Sequence, residues 1–567
     1  MPHDRQKIAS AALIFPQFRQ GLISVITNHS REGCAEAISY KAPKEITFHP
    51  YLAAFIREFV PIFDRSHECT NGYFRNQILL LGHQIHCKLG LWRLTLLRYQ
   101  VVMKKVLIVL AAMLAASNIA LSQSGDAALR SVVEKDRSSR AANGQLTTLS
   151  ASEHLSRGRI YFDNRQFPQA REHFEKILAN YPDDDAMPAA LFMLGRSYYW
   201  ERNYAQCVPF MDRVSREFPA TKDGREGLYF DASCNLRIGK NDDAARLWIQ
   251  YTVMYPQGER VENAYVNSID ALRVAGRYKE ADEWVDKTRA KFPSTPTETN
   301  ALHARLRMQI YREQWRDAEA TATLMQAQAK FAGSFTSSAE VKYLRAFALE
   351  RQGKGTDALT IYESIPNSLE SYWSWLANDR IATAKMLSPT RGLEVSFGGG
   401  RATPSVADYP APFRSEVLSA AKPRHIDPRF VLALMKQEST FISTAKSSAA
   451  ARGLMQQTID TALKYNVKAG YPNLKPEDLY DPKTNITIAC ENLADYQREF
   501  GTLYEAIAAS YNGGDDNAAR WLSHTNPKEP GIFTSEIGFA ETKNYVFKVM
   551  TNYRIYKQLY DENLNRR

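Results

Sequence analysis

A spacing of 37 residues runs through the middle of the chain and restricts its fold more than any other feature. Aromatic-Pro pairs stand at Tyr181-Pro182, Phe218-Pro219, Tyr255-Pro256 and Phe292-Pro293, each 37 residues from the next. A small residue keeps the same step at Ala170, Cys207, Ala244, Ala281 and Ala318, and three positions before these stand Phe167, Tyr204, Asn241, Tyr278 and Trp315. Apolar residues between the markers recur at helical spacing, as in Leu191, Leu194 and Tyr198, then Phe210 and Val214. Proline cannot continue a helix, so each pair closes a second helix. Each unit is therefore expected to be helix, turn, helix, and the units to stack as a solenoid. The small residue lets the two helices approach closely. Cys207 then fills an alanine slot, and Cys234 a slot held elsewhere by Ser197 and Ala271. A Cys207–Cys234 disulfide is the other reading, open to an exported protein.

The pattern resembles tetratricopeptide repeats, whose usual period is about 34 residues, over residues 150 to 370, with the last unit (Ala339 to Pro366) out of strict register. A solenoid offers a surface to a peptide, a protein or a polymer, and the repeat alone does not choose.

Length and composition bound the rest. At 567 residues the chain calls for two or three domains. With 44% apolar and 24% charged residues it is neither largely disordered, nor collagen-like, nor a multi-span membrane protein. Residues 103–122 open with Met103-Lys104-Lys105, continue as VLIVLAAMLAA and close on SNIALS. That is the layout of a secretory signal peptide, with an apolar stretch too short for a comfortable membrane span. It implies export to the periplasm, a start at Met103, and residues 1–102 as an over-extended gene model or unassigned segment. The rival reading is a cytoplasmic segment followed by an anchor helix. Residues 1–122 hold 14 Lys and Arg against 7 Asp and Glu, so the formal charge of +10 falls to about +3 without them. No basic stripe is left to argue for nucleic acid. Residues 123–150, rich in Ser, Ala, Asp and Arg, read as a flexible leader. The repeat domain is expected over 151–385 and a linker with Gly398-Gly399-Gly400 over 386–409.

Residues 410–567 carry the chemistry. Asp427-Pro428 is a helix start, with Asp as cap and Pro at the first position. In the helix FVLALMKQEST, Val431, Leu434, Met435 and Glu438 fall at i, i+3, i+4 and i+7. A carboxyl then lies on the apolar stripe near the helix C-terminus. Burial and the negative end of the dipole both disfavour its ionised form. A carboxyl kept protonated near neutral pH suits a general acid; an interface or salt-bridged Glu is the plainer alternative.

The surrounding blocks favour the acid. Glu438-Ser439-Thr440-Phe441 is followed by Ser447-Ser448-Ala449-Ala450-Ala451-Arg452-Gly453-Leu454-Met455-Gln456 and Thr461-Ala462. Further on stand Asp481-Pro482, Asn485-Ile486, Ser510-Tyr511-Asn512-Gly513-Gly514 and Phe539-Ala540-Glu541-Thr542-Lys543-Asn544-Tyr545-Val546. This set resembles the catalytic domain of the soluble lytic murein transglycosylases, related to goose-type lysozyme. The resemblance departs at Ala450, Ala489 and Gly513, where the family has Gly, Gly and Ala. It implies a mostly α fold, a superhelix followed by a lysozyme-like α (α+β) domain with a short β-hairpin. It also implies that Glu438 is the single acid/base, cleaving the β-1,4 bond between N-acetylmuramic acid and N-acetylglucosamine and leaving a 1,6-anhydromuramyl end. On the same resemblance Ser447, Gln456, Tyr511, Asn512 and Glu541 are substrate-binding, with peptidoglycan glycan strands as partner and other wall enzymes as candidates for the repeats. Local readings stand beside these: a cap for Ser447, packing for Tyr511, and turn satisfaction of backbone groups by Asn512. Met455, Tyr545 and Tyr553 are read as core. Two other functions stay open: a lysozyme-type hydrolase on the same fold, and a repeat-based wall-binding protein with an inactive domain. No metal-ligand, G-x-S-x-G or phosphate-loop pattern is present, and no cofactor or metal is expected.

Overall fold

A computed structural model describes residues 127–387 and 405–567, which belong to one compact unit. The 103–122 segment and most of the expected linker lie outside these residues.

The repeats fold as paired helices: Ala151–Asp163 with Phe167–Asn180, Met187–Trp200 with Tyr204–Glu217, Lys222–Arg237 with Asn241–Met254, Val261–Val274 with Tyr278–Lys291, and Pro296–Tyr311 with Trp315–Gln328. A shifted pair, Ser338–Arg351 and Gly355–Glu363, and the Tyr372–Leu387 helix complete the series. Each 37-residue marker has a structural cause. Phe167, Tyr204, Asn241, Tyr278 and Trp315 are the first residues of the second helices. Ala170, Cys207, Ala244, Ala281 and Ala318 are wholly buried one turn further on. Tyr181, Phe218, Tyr255 and Phe292 are the C-caps, and the following Pro forbids another turn. Cys207 and Cys234 are joined by a disulfide between neighbouring helices, amid Leu191, Met211 and Val214. The slot reading and the disulfide reading thus hold together.

Two expectations need correction. Residues 127–139 are helical, not a flexible leader. Leu129, Val132 and Asp136 fall at i, i+3 and i+7 and are buried, the first two against the first repeat. At the other end, the helix reaches Leu387 and the 405–409 stretch is pinned. The Tyr560 hydroxyl donates to the Tyr409 carbonyl at 2.8 Å, and that of Tyr556 to the Pro410 carbonyl at 2.9 Å.

The C-terminal part is built from eight α-helices: Arg414–Ala421, Pro428–Ser439, Ile459–Tyr465, Pro482–Phe500, Tyr504–Gly513, Asp515–Ser523, Pro530–Glu536 and Ala540–Leu559. Where a hairpin was expected, the described residues show only isolated bridges, Lys446 with Arg452 and Arg452 with Gln457. One apolar core runs from the last repeats into this part. Tyr372 stacks on Phe547 with ring centroids 5.3 Å apart, and its hydroxyl sits 3.0 Å from Thr534 Oγ1 and 3.2 Å from Glu505 Oε1.

Candidate active site

Glu438 is placed by a helix that is fixed at both ends. Asp427 caps the start, its Oδ1 accepting the Arg429 N–H at 2.9 Å, with Pro428 in the first turn. Phe430 to Met435 are all buried, so the helix is enclosed on every side rather than along one stripe. It stops at Ser439 because Thr440 and Phe441 both turn left-handed, at φ 48° and 66°. Ser439 Oγ supports that reversal, accepting the Phe441 N–H at 3.1 Å and donating to the Leu454 carbonyl at 2.8 Å.

Glu438 itself is half-buried. Tyr545, 107 residues away, donates its hydroxyl to Oε1 at 2.6 Å. The carboxyl is pushed up to about 7, first by burial. The Tyr545 hydrogen bond favours the ionised form and opposes the shift, while the Glu541 charge adds to it. Glu541 is exposed and sits one helical turn before Tyr545 on the Ala540–Leu559 helix. Burial and the adjacent Glu438 charge hold the Tyr545 phenol well above its ordinary range, so it remains a donor.

The other expected residues fall around this pair. Tyr511 is half-buried, and the Glu438 charge is among the influences on its phenol. Its hydroxyl donates to the Met455 carbonyl at 2.7 Å and accepts from Gln457 Nε2. Asn512 is exposed, and its Oδ1 accepts from Thr542 Oγ1 at 2.7 Å, tying the Tyr504–Gly513 helix to the one bearing Glu541. The side-chain bond is therefore to Thr542, not to the backbone groups expected at the turn. Gly513 leaves room for Thr542: a Cβ there would meet Thr542 Oγ1 at 2.9 Å. Ser447 is exposed, and its Oγ accepts the Ala451 N–H at 3.1 Å, capping a turn rather than a helix. Gln456 lies in the same loop, left-handed at φ 45°, with Nε2 donating to the carbonyls of Ala445 (3.1 Å) and Gly453 (2.8 Å). Neither Ser447 nor Gln456 hydrogen-bonds Glu438 among the described residues.

Asn485 brackets this loop from below. It is fully buried, takes the Met455 N–H on Oδ1 at 2.7 Å, and donates Nδ2 to the carbonyls of Arg452 (2.9 Å) and Leu479 (2.8 Å). Gly453 must be glycine here, because a Cβ would come within 2.1 Å of the Leu479 carbonyl oxygen. Met455 is core, as expected. Tyr545 is more than core, and Gln457 was not singled out at all. The signal for Tyr545 was its i+4 spacing from Glu541 on one helix face.

The fold and these contacts describe a helical-repeat solenoid joined to a compact α domain that holds the half-buried Glu438 carboxyl against a tyrosine hydroxyl. Residues 416–532 match the family described as "Transglycosylase SLT domain", and residues 155–217 a tetratricopeptide repeat family. The chain therefore carries an SLT transglycosylase domain together with tetratricopeptide-type repeats. It is 33% identical over 132 residues to the soluble lytic murein transglycosylase of Escherichia coli K12, covering 22% of this chain and 20% of that protein. It is 28% identical over 213 residues to the membrane-bound lytic murein transglycosylase C of Edwardsiella ictaluri, covering 33% and 59%. The matched stretches thus span about a fifth and about three fifths of those proteins. Superposed on the lytic transglycosylase Slt of Pseudomonas aeruginosa, the chain gives a TM-score of 0.43 at 16% identity, covering 71% of this chain and 81% of the other.

Proposed function

We propose that the protein is a lytic transglycosylase of peptidoglycan, with residues 410–567 as the catalytic domain, residues 151–385 as the repeat domain and Glu438 as the single acid/base. The observation that carries this is the Glu438 carboxyl, raised to about 7 and held by the Tyr545 hydroxyl within an SLT domain. A group with that proton affinity can both give and take a proton near neutral pH. Because Tyr545 donates to Oε1, the acidic proton belongs on Oε2. Oε2 protonates the oxygen leaving the N-acetylmuramyl carbon. The resulting carboxylate then takes the proton of the muramyl 6-hydroxyl, which closes the 1,6-anhydro ring in place of water. Charge balances within one residue, and the Glu541 charge helps to hold the Glu438 proton. Ser447, Gln456, Tyr511, Asn512 and Glu541 line the sugar path in this reading. The site of action is the periplasm, reached through the export signal at residues 103–122. Among the described residues no helix is long and apolar enough to cross a membrane.

The test is mass spectrometry of purified peptidoglycan digested by the protein and by Glu438→Gln. Muropeptides one water lighter than hydrolysed ones, absent with the variant, are expected. Hydrated reducing ends would replace this reading with a hydrolase, and bound but uncut glycan with a wall-binding protein.

A further inference from the structure

The turn joining the two helices of each unit has a middle position at 165, 202, 239, 276 and 313, again 37 residues apart. The backbone is left-handed at every one: φ is 59° at Arg165, 63° at Arg202, 79° at Gly239, 77° at Gly276 and 57° at Glu313. Glycine adopts this conformation freely, and any side chain strains it. Three units nevertheless place a long side chain there, and all three reach the C-terminal part. Arg165 forms a two-pronged bond to Asp460, Nε at 2.7 Å and Nη2 at 2.8 Å. Arg202 pairs with Asp515 and lies 3.8 Å from Asp516. Glu313 accepts from Asn526 Nδ2 at 3.2 Å.

The two arginines hold opposite sides of one contact. Asp460 lies in the first turn of the Ile459–Tyr465 helix, three residues after Gln457. The Arg202 guanidinium lies against Gly514, where a Cβ would meet its Nη2 at 2.9 Å, and Gly514 ends the helix that bears Tyr511. Those two segments join where Tyr511 meets Met455 and Gln457. We propose that Arg165 and Arg202 are positioning residues: the solenoid accepts strained turns in two consecutive repeats so as to fix the Gln456 and Tyr511 segments beside Glu438. This rests on the transglycosylase reading for what the site does, and on the turn geometry for how it is held.

Two sibling repeats supply the test, because Gly239 and Gly276 are their residues at this position. Arg165→Gly, Arg202→Gly and the double variant keep the turn and lose the grip, together with the Arg165 guanidinium's place over the Phe167 and Trp200 rings. In the full chain, the double variant is expected to melt within a few degrees of wild type. It should lose at least tenfold in kcat/KM on isolated glycan strands and exchange backbone amides faster at 453–458 and 509–514. Arg165→Lys, which keeps the charge without the fork, should retain more turnover than Arg165→Gly. Turnover or exchange in the double variant equal to wild type would overturn the proposal. A wild-type protein that never cuts glycan would overturn the transglycosylase reading instead, and the exchange measurement would still decide the positioning.

Discussion

Glu438 sits between two neighbours that move its proton affinity in opposite directions, and both lie on one helix. In the proposed mechanism its acid form cleaves the bond, so turnover should fall as pH rises through its pKa of about 7. Tyr545→Phe removes a bond that favours the carboxylate. The pKa then rises, and the alkaline limb of the pH–rate profile should move to higher pH. Glu541→Gln removes a like charge, and the same limb should move to lower pH. Profiles that shift together, or not at all, would contradict this arrangement. The raised pKa also has a stability consequence. A carboxyl near 4.5 when unfolded and about 7 when folded binds more protons in the folded state, so it destabilises the protein increasingly as pH rises through that window. Glu438→Gln should therefore be more stable than wild type at pH 8 by about 3 kcal/mol at most, with the gap closing near pH 4, as read by denaturant melts. Glu438 was legible in the sequence because its helical spacing and its motif agreed. Tyr545 was far less so: it lies 107 positions away and repeats at core spacing, and in sequence only its i+4 spacing from Glu541 sets it apart from a core tyrosine.

At the scale of elements, the repeat was readable because a packing slot must be refilled in every unit. Ala170, Ala244, Ala281 and Ala318 are wholly buried where two helices approach. Ala281→Leu would wedge them apart, and a loss of about 1–3 kcal/mol is expected in thermal or denaturant unfolding. What the sequence hid were positions where residue type and backbone disagree. The left-handed turn shows as glycine at 239 and 276 but is masked by side chains at 165, 202 and 313. Ala450 is another such place: it is buried at φ 57°, where the resembled family has glycine. Ala450→Gly should stabilise the Ser447 loop by roughly 0.5–1 kcal/mol, since the strain relieved exceeds the unfolded-state entropy added. A lower melting temperature for that variant would show that the methyl's packing outweighs the strain. The helix at 127–139 escaped notice for a different reason, its polar composition concealing a sound i, i+3, i+7 face.

At the scale of the whole molecule, buried ion pairs join the repeats to the C-terminal part. Lys543 stands between Glu541 and Tyr545 in sequence, and its Nζ lies 2.6 Å from Oε1 of Glu340, which a repeat helix contributes. Both residues are almost fully buried. Nearby, Glu536 receives Arg273 at 2.7 Å and Arg307 at 3.2 Å, again from consecutive repeats. No sequence pattern announces these pairs, because partners some 200 residues apart carry no shared spacing. A buried charge stripped of its partner is costly, whereas a buried pair replaced by apolar groups often is not. Lys543→Met and Glu340→Leu should each lower stability by about 3–5 kcal/mol, and the double variant by far less than their sum. The single variants should also slow turnover, because the helix bearing Glu541 and Tyr545 loses its anchor, and the double variant should recover part of it. Additive losses in both measurements would mean that the repeats merely lie beside the catalytic helix. A large coupling would make the solenoid a structural half of the site, so that residues 410–567 expressed alone should cut glycan more slowly than the intact chain.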